Sequence, residues 1–242
     1  MLHIIKTADY DEMSLRVAEL IAGEIRGNEN PVIGLATGST PIGAYRKLVE
    51  WYNEGSLDFS KVTSVNLDEY KGLPRENDQS YWYFMHDNLF DHVNIKPENI
   101  NLPDGTNPDG EAECKRYDDV IASLGHVDIQ LLGMGHNGHI AFNEPSESFS
   151  RGTNCVDLQA STIEANKRFF ASADDVPRQA YTMGIGTIMA AKKIVMAVNG
   201  SAKAEAVKRA LQGPVTPMMP ASILQFHPDC YVVLDAEAAA LL

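Results

Sequence analysis

The sequence predicts an α/β fold with a doubly wound, mostly parallel sheet that helices cover on both faces. Short runs rich in Val and Ile alternate along the chain with longer amphipathic stretches, which is typical of repeated βαβ crossovers. No internal repeat, low-complexity tract or linker-like run of Gly, Ser and Pro interrupts this alternation. A single α/β domain over residues 1–242 is therefore expected.

Each expected element rests on its own local pattern. The strands are short apolar runs rich in β-branched residues, namely Leu2–Lys6, Val32–Ala36, Val62–Leu67, Val127–Met134, Lys193–Val198 and Tyr231–Leu234. The helices have apolar residues at helical spacing, as Leu15, Ala18 and Ala22 do in the first of them. They are Asp11–Arg26, Pro41–Tyr52, Tyr81–Leu89, Gly110–Leu124 and Ala202–Leu211.

Composition and charge exclude several classes of partner. The net charge of −13 disfavours nucleic acid and anionic membranes, because phosphate backbones require dense Lys and Arg. A small anionic ligand remains compatible with this charge, provided that backbone N–H groups and one or two cations form a local site. The first residues lack the pattern of a signal peptide. The sequence also contains no run of about eighteen apolar residues, which a membrane span would require. A cytoplasmic protein is expected.

The cysteines predict no metal site. Cys114, Cys155 and Cys230 are odd in number and far apart in the sequence, so a metal-type spacing is missing. We expect reduced thiols that serve as small core residues.

The loop after the second expected strand is suited to an anion. Thr37, Gly38, Ser39 and Thr40 follow the strand, and Pro41 suits the first turn of a helix. A helix N-terminus exposes several N–H groups, and its dipole favours negative charge. The loop lacks the Gly-Lys-Ser/Thr ending of a nucleotide P-loop. The alternative is an ordinary helix cap made by Ser39 or Thr40.

Two carboxylates follow the third expected strand. Asp68 and Glu69 come directly after Val62–Leu67. Placing a charged group in such apolar surroundings costs free energy. A carboxylate here would have a raised pKa and could serve as a general base. The alternative is a solvated loop acid or a helix cap.

The loop after Leu132 fits the G-x-G-x-x-G spacing of dinucleotide-binding proteins, with Gly133, Gly135 and Gly138. That fingerprint requires the third glycine to open a helix, with an acid about 20 residues further on. Gly138 leads instead into the letters HIAFNEP, whose last three residues are a turn signal. We therefore expect a short non-helical loop that presents His139 and Glu144, and no nicotinamide cofactor. The carboxylate can fix the tautomer of the imidazole and raise its basicity.

Two cations complete the set of candidate residues. Arg168 lies in the letters NKRFF, and Lys203 follows Gly200 where a strand passes into a helix. Either residue alone is typical of a solvated surface. A lysine at a strand end can also complete a phosphate site.

Together these residues resemble the glucosamine-6-phosphate deaminases. The order and spacing of LDEY at 67–70, GHIAFNEP at 138–145 and KRFF at 167–170 match that family, and the similarity extends to about residue 235. The resemblance implies a Rossmann-like fold of the sugar-phosphate isomerase type. It also implies conversion of D-glucosamine 6-phosphate and water to D-fructose 6-phosphate and ammonia, without a metal or an organic cofactor.

The resemblance also implies a role for each residue. His139 would open the sugar ring by moving a proton between the ring oxygen and the anomeric hydroxyl. Glu144 and Asn137 would hold and polarise this histidine, and Asp68 would move the proton of C2 to C1. The residues implied for the substrate and its phosphate are Thr37, Gly38, Ser39, Thr40, Arg168 and Lys203.

Two features distinguish this chain from many members of the resembled family. Many relatives have Asp where Asn137 stands, whereas others have Asn, and an amide without charge should leave the imidazole less basic. Longer members are activated by N-acetylglucosamine 6-phosphate, whereas this chain stops at Leu242 and has Arg151 as the only cation between 147 and 156. We therefore expect no allosteric activator. The segment 156–177 is a candidate lid, and self-association stays open because the family contains monomers and hexamers.

Two other functions share features with this sequence. A 6-phosphogluconolactonase would share the fold and a related Gly-His loop, but that loop usually continues with TASLFP rather than IAFNEP. A sugar-phosphate sensor of the kind found in bacterial repressors would carry a DNA-binding module, for which this chain has no residues left. Such a sensor would also have no use for Asp68, His139 and Glu144.

Overall fold

The fold is a mostly parallel central sheet with helices around it, as the sequence predicted. The computed structural model describes residues 1–167, 170, 172 and 175–242. Within these residues the strands are β1 (Leu2–Lys6), β2 (Val32–Leu35), β3 (Thr63–Asn66), β4 (Asp68–Tyr70), β5 (Ile100–Asn101), β6 (Ile129–Leu132), β7 (Asn154–Asp157), β8 (Gln179–Thr182), β9 (Lys193–Val198) and β10 (Cys230–Leu234).

The helices occupy most of the connections between these strands. They are α1 (Tyr10–Gly27), α2 (Ile42–Asn53), α3 (Tyr81–Asn88), α4 (Gly110–Ser123), α5 (Ala160–Asn166), α6 (Ile185–Met189) and α7 (Ala204–Gln212). Short 3₁₀ helices cover Ser201–Lys203 and Pro220–Phe226. No helix in the described part of the chain is both long enough and apolar enough to cross a bilayer.

The strand order places a crevice between β2 and β6. The large sheet has the order β1-β10-β9-β6-β2-β3-β5, and its neighbouring strands run parallel. After β2 the chain continues toward β3, whereas after β6 it returns to the other side of the sheet at β9. Loops that diverge in this way leave room for a ligand at the carboxyl ends of the two strands.

A smaller sheet lies at the carboxyl end of β3. β4, β8 and β7 pair in that order and antiparallel, with Asp68 opposite Thr182. Because β4 begins two residues after β3 ends, the chain passes directly from the large sheet into the small one. Asp68 therefore stands at the junction of the two sheets.

The core explains which elements the sequence predicts well. Every residue of β2 and of β6 is buried, which accounts for their mostly apolar sequences, with Gln130 as the one polar residue in β6. α1 buries Ala18 and Ala22 of the predicted apolar face, together with Met13, Val17 and Ile21, whereas Leu15 is half-buried. All the expected strands and helices are present with ends that differ by at most two residues. The short elements β4, β5, β7, β8, α5 and α6 were not predicted.

Candidate active site

One cavity lies at the carboxyl ends of β2, β3 and β6, and the predicted loops meet there. Its volume is about 300 Å³, which is in the range of small-molecule sites. Of the predicted residues, those that line it are Thr37, Gly38, Ser39, Thr40, Asp68, Asn137, His139 and Lys203. Arg168, which the sequence analysis also assigned to this site, lies outside the described residues.

The loop after β2 keeps its backbone donors available. Gly38 has a φ of +90°, a left-handed conformation that favours glycine. Within the described part of the chain, the N–H groups of Gly38, Ser39 and Thr40 have no acceptor. At the start of α2 the N–H of Gly43 donates to the hydroxyl of Tyr10, at 2.9 Å, and neither Ser39 nor Thr40 makes a capping bond, so the alternative that one of them caps this helix is wrong. The hydroxyl of Thr40 donates instead to Oδ1 of Asn199, at 2.8 Å.

Asp68 is a buried carboxylate at the floor of the cavity. It is only 6% exposed, and no described group donates a hydrogen bond to its oxygens. Burial, together with the nearby charge of Glu69, raises the pKa of Asp68 well above its usual value. The alternative of a solvated loop acid is therefore wrong for this residue. A carboxylate with a raised pKa holds a proton more readily than a solvated one, which suits a group that accepts a proton and then returns it.

Glu69 points away from the cavity and binds the start of α3. Its Oε1 accepts the N–H groups of Tyr70 and Tyr81 at 2.8 and 2.9 Å, and its Oε2 accepts that of Trp82 at 2.9 Å. Burial raises the pKa of Glu69 to about 7, although these three N–H donors act to lower it. Glu69 is thus a cap for α3, and this cap fixes the backbone next to Asp68.

The loop after β6 is a tight turn around the His139 ring. The N–H of Gly135 donates to the carbonyl of His139 at 2.9 Å, and Gly138 has a φ of +83°. A Cβ added to Gly135 would lie 2.2 Å from Cε1 of His139, so the imidazole occupies the space that a side chain would need. Gly138 does not open a helix. The glycine spacing therefore forms this turn, without the helix that the dinucleotide fingerprint requires after its third glycine.

Glu144 lies behind His139 and accepts several donors. Nδ1 of His139 is 3.4 Å from Oε2, and Nδ2 of Asn137 donates to the same oxygen at 2.5 Å. The hydroxyl of Thr162 donates to Oε1. Burial acts to raise the pKa of Glu144, but His139, Thr162 and Asn137 together outweigh it and lower this pKa to about 2. Glu144 is therefore an anion that can stabilise positive charge on the imidazole.

Asn137 contacts the carboxylate and the backbone rather than the imidazole ring. Its Oδ1 accepts the backbone N–H of His139 at 3.1 Å, and its amide nitrogen is used by Glu144. Asn137 therefore shapes the turn and orients Glu144 at the same time.

Asn143 anchors the end of this loop. Its Nδ2 donates to the carbonyls of Ile140 and Met183 at 3.0 and 2.9 Å, and its Oδ1 accepts the hydroxyl of Ser150 at 2.6 Å. Ala141, which lines the cavity, has a φ of +52° and is the one non-glycine residue with positive φ among those described. The bonds of Asn143 hold the backbone in this unfavourable conformation.

Lys203 reaches the cavity from the other side of the crevice. It ends the 3₁₀ turn after β9, and its Nζ donates to the carbonyl of Met134 at 2.8 Å. A cation and the N–H groups of the Gly38 loop thus line one cavity. Within the described residues, no group of three or more His, Cys, Asp and Glu side chains could hold a metal ion.

Several residues that line the cavity are not among those predicted from the sequence, including Tyr81, His136, Ala141 and Thr162. The ring of Tyr81 packs on the rings of Tyr70 and Phe142, with centroids 4.9 and 6.1 Å apart. Thr162 falls within the candidate lid segment, but a single threonine in a polar stretch carries no distinctive signal. Only the tertiary structure brings these side chains to the strand ends.

Comparison with known proteins gives extensive matches over the whole chain. A family model described as glucosamine-6-phosphate isomerases/6-phosphogluconolactonase matches residues 6–232. A glucosamine-6-phosphate deaminase of Clostridium perfringens is 54% identical over 241 residues, which cover 100% of both chains. That of Thermoanaerobacter pseudethanolicus is 51% identical over 99% of this chain and 94% of its own.

Solved structures agree with these matches. The structure of a monomeric glucosamine-6-phosphate deaminase has a TM-score of 0.97 and 45% identity, over 99% of this chain and 100% of that chain. The 6-phosphogluconolactonase of Trypanosoma brucei has a TM-score of 0.80 over 100% of this chain and 99% of its own. Its identity is 20%, so this second likeness concerns the fold alone.

Proposed function

Because this chain belongs to the family of glucosamine-6-phosphate isomerases and 6-phosphogluconolactonases, we propose that it is a glucosamine-6-phosphate deaminase. The reaction converts D-glucosamine 6-phosphate and water to D-fructose 6-phosphate and ammonia. The observation that carries the proposal is that Asp68, His139 and the Gly38 loop line the same cavity. An open-chain isomerisation needs two separate proton carriers and an anchor for the phosphate.

Ring opening is the step that we assign to His139. The imidazole takes the proton of the anomeric hydroxyl and returns it to the ring oxygen, which breaks the bond between C1 and that oxygen. Glu144 is ionised at neutral pH and lies 3.4 Å from Nδ1, so it stabilises the imidazolium that forms in between. Asn137 keeps Oε2 of Glu144 in this position.

Isomerisation is the step that we assign to Asp68. Its carboxylate removes the proton of C2, and O1 gains a proton, which gives an enolamine. The same carboxyl group then delivers its proton to C1 while the nitrogen loses one, so that the C1 aldehyde with a C2 amine becomes a C1 alcohol with a C2 ketimine. Water then adds to C2 of the ketimine, and ammonia leaves, so that C2 becomes a ketone. The raised pKa of Asp68 suits this role, since a base and an acid are needed in turn.

The phosphate is assigned to the opposite end of the cavity. The N–H groups of Gly38, Ser39 and Thr40 have no acceptor within the described residues, and Lys203 adds a positive charge. Thr37 and Arg168 stay part of this proposal on the family resemblance. Binding the phosphate would orient the reacting carbons, which lie several bonds away.

The remaining features of the proposal follow from this chemistry. Each step is a proton transfer or an addition of water, so we propose a cofactor-independent isomerase and deaminase that hydrolyses a C–N bond. We propose a cytoplasmic location, since the described cysteines are free thiols and the substrate is a sugar phosphate. A small phosphosugar is the proposed partner, and the solved deaminase described as monomeric gives no support for self-association.

A coupled assay on the purified chain tests the proposed function. Ammonia and fructose 6-phosphate should appear at equal rates after addition of glucosamine 6-phosphate. Hydrolysis of 6-phosphogluconolactone without ammonia release would point to the lactonase, and binding of the phosphosugar without turnover would point to a sensor.

Lys203→Met is expected to weaken substrate binding more than turnover. Because a hydrogen bond to a charged group contributes about 1.5–3 kcal/mol, KM should rise by roughly 10- to 100-fold while kcat changes less. Steady-state kinetics measures both constants. Lys208→Met, on the exposed face of α7, is the matched control and should match the wild type. Equal KM values for the two variants would remove Lys203 from the phosphate site.

Asn137→Asp is expected to move the acid limb of the rate profile to higher pH. The new carboxylate would lie beside Oε2 of Glu144. Two adjacent negative charges favour the protonated form of a neighbouring base, so that base loses its proton at a higher pH. The shift should be about one pH unit in kcat/KM measured from pH 5 to 9. Asn53→Asp makes the same charge change at an exposed position and serves as control. Identical profiles for wild type and Asn137→Asp would contradict the expectation.

A further inference from the structure

Thr162 in α5 contacts the site without belonging to any motif of the sequence. Its side chain is 6% exposed and lines the cavity, and its hydroxyl donates to Oε1 of Glu144. Resting on the proposed function, we propose that Thr162 is a positioning residue, which fixes the Glu144 carboxylate so that Oε2 faces the imidazole of His139.

The two carboxylate oxygens of Glu144 have different hydrogen-bond partners. Oε2 accepts the amide of Asn137 and faces Nδ1 of His139, whereas Thr162 is the donor to Oε1 among the described residues. The last torsion of a glutamate is broad, so donors on one oxygen alone leave the carboxylate free to turn. Donors on both oxygens fix its plane. Without the hydroxyl of Thr162, Oε2 would no longer be held at one distance from the imidazole.

The packing of α5 makes Thr162 a suitable support. Leu158 and Ile163, on either side of it in the sequence, pack on a cluster that contains Tyr70 and Phe142. Phe142 belongs to the same loop as Glu144. The helix that carries the donor and the loop that carries the acceptor therefore share one apolar contact, which sets their relative position.

Kinetics of matched variants tests this role. Thr162→Val keeps the shape and removes the donor, Thr162→Ser keeps the donor, and Thr187→Val removes a threonine hydroxyl of α6 outside the cavity. We expect Thr162→Val to lower kcat by about tenfold, because a small misplacement of a proton carrier slows the reaction. KM should stay within about twofold of the wild-type value. Thr162→Ser should restore kcat to within about threefold, and Thr187→Val should equal the wild type.

Two kinetic outcomes would overturn the proposal. If Thr162→Ser is as slow as Thr162→Val, the methyl group matters and the hydroxyl does not. If Thr162→Val changes KM alone, the residue serves substrate contact rather than the carboxylate.

A second measurement does not depend on the reaction. The ¹³Cδ signal of Glu144 is followed by NMR from pH 2 to 6 in the wild type and both Thr162 variants. His139 is the titratable group that faces Glu144. Loss of a donor should raise the titration midpoint of Glu144 by about one unit in Thr162→Val and leave it unchanged in Thr162→Ser. Equal midpoints in all three proteins would overturn the proposal. A wild type that releases no ammonia would instead refute the proposed function while this titration still decides the role of Thr162.

Discussion

Asp68→Asn is expected to abolish ammonia release while the substrate still binds. The amide has nearly the same shape, but it cannot accept the proton of C2, and general acid–base catalysis contributes about 10²–10⁴-fold. We therefore expect kcat to fall by at least about 10³-fold. Binding is measured with the sugar alcohol obtained by reducing the substrate, whose dissociation constant should change by less than about threefold. A variant that retains a tenth of the wild-type kcat would exclude Asp68 as the base.

The same variant is expected to be more stable at alkaline pH. The folded-state pKa of Asp68 is raised, so its ionisation destabilises the folded protein as the pH rises above the ordinary value of about 3.9. Asparagine carries no charge and avoids this cost. Thermal unfolding should show a Tm for the variant that is a few degrees higher at pH 8, with the difference shrinking toward pH 4. A lower Tm than the wild type at pH 8 would contradict the assigned burial cost.

His139→Gln is expected to cause the second largest loss. Glutamine keeps a polar group of similar reach but cannot carry a proton between two oxygens of the sugar. We expect kcat to fall by about 10²–10³-fold, with unchanged binding of the reduced sugar alcohol because that compound has no ring to open.

The residual activity of His139→Gln provides a specific check. If Asp68 still works, the variant can use only substrate that has opened spontaneously, so the rate should stop rising with enzyme concentration. A residual rate that stays proportional to enzyme would argue against a role in ring opening. His126→Gln, on the surface before β6, is the matched control and should behave like the wild type.

The long elements of the fold could be predicted because each carries several turns or a full apolar run. β4, β5, β7 and β8 have two to four residues, of which half or more are polar, so no apolar run marks them; α5 and α6 have seven and five residues, which is too few for a periodic signal. The location of the site followed from a topological rule, since ligands of parallel sheets bind at the strand ends.

The contacts within the site could not be predicted in the same way. The sequence places Asp68 and Glu69 side by side, but only the position of α3 decides that Glu69 becomes its cap and Asp68 faces the cavity. Likewise, Asn137 was expected to hold and polarise His139, and the structure shows its oxygen on the backbone N–H of His139 and its amide nitrogen on Glu144, away from the imidazole ring. Side-chain partners of this kind depend on elements that are distant in the chain.

The fit between Gly135 and the imidazole limits how sequence variation can remodel this turn. Any side chain at 135 would overlap the His139 ring, and one at 138 would meet the sulfur of Met219 at 1.9 Å. Gly133 has open space around the position of a Cβ, so the first glycine of the spacing is the replaceable one. A mutant library aimed at new sugar specificity should therefore spare Gly135 and Gly138 and vary Gly133.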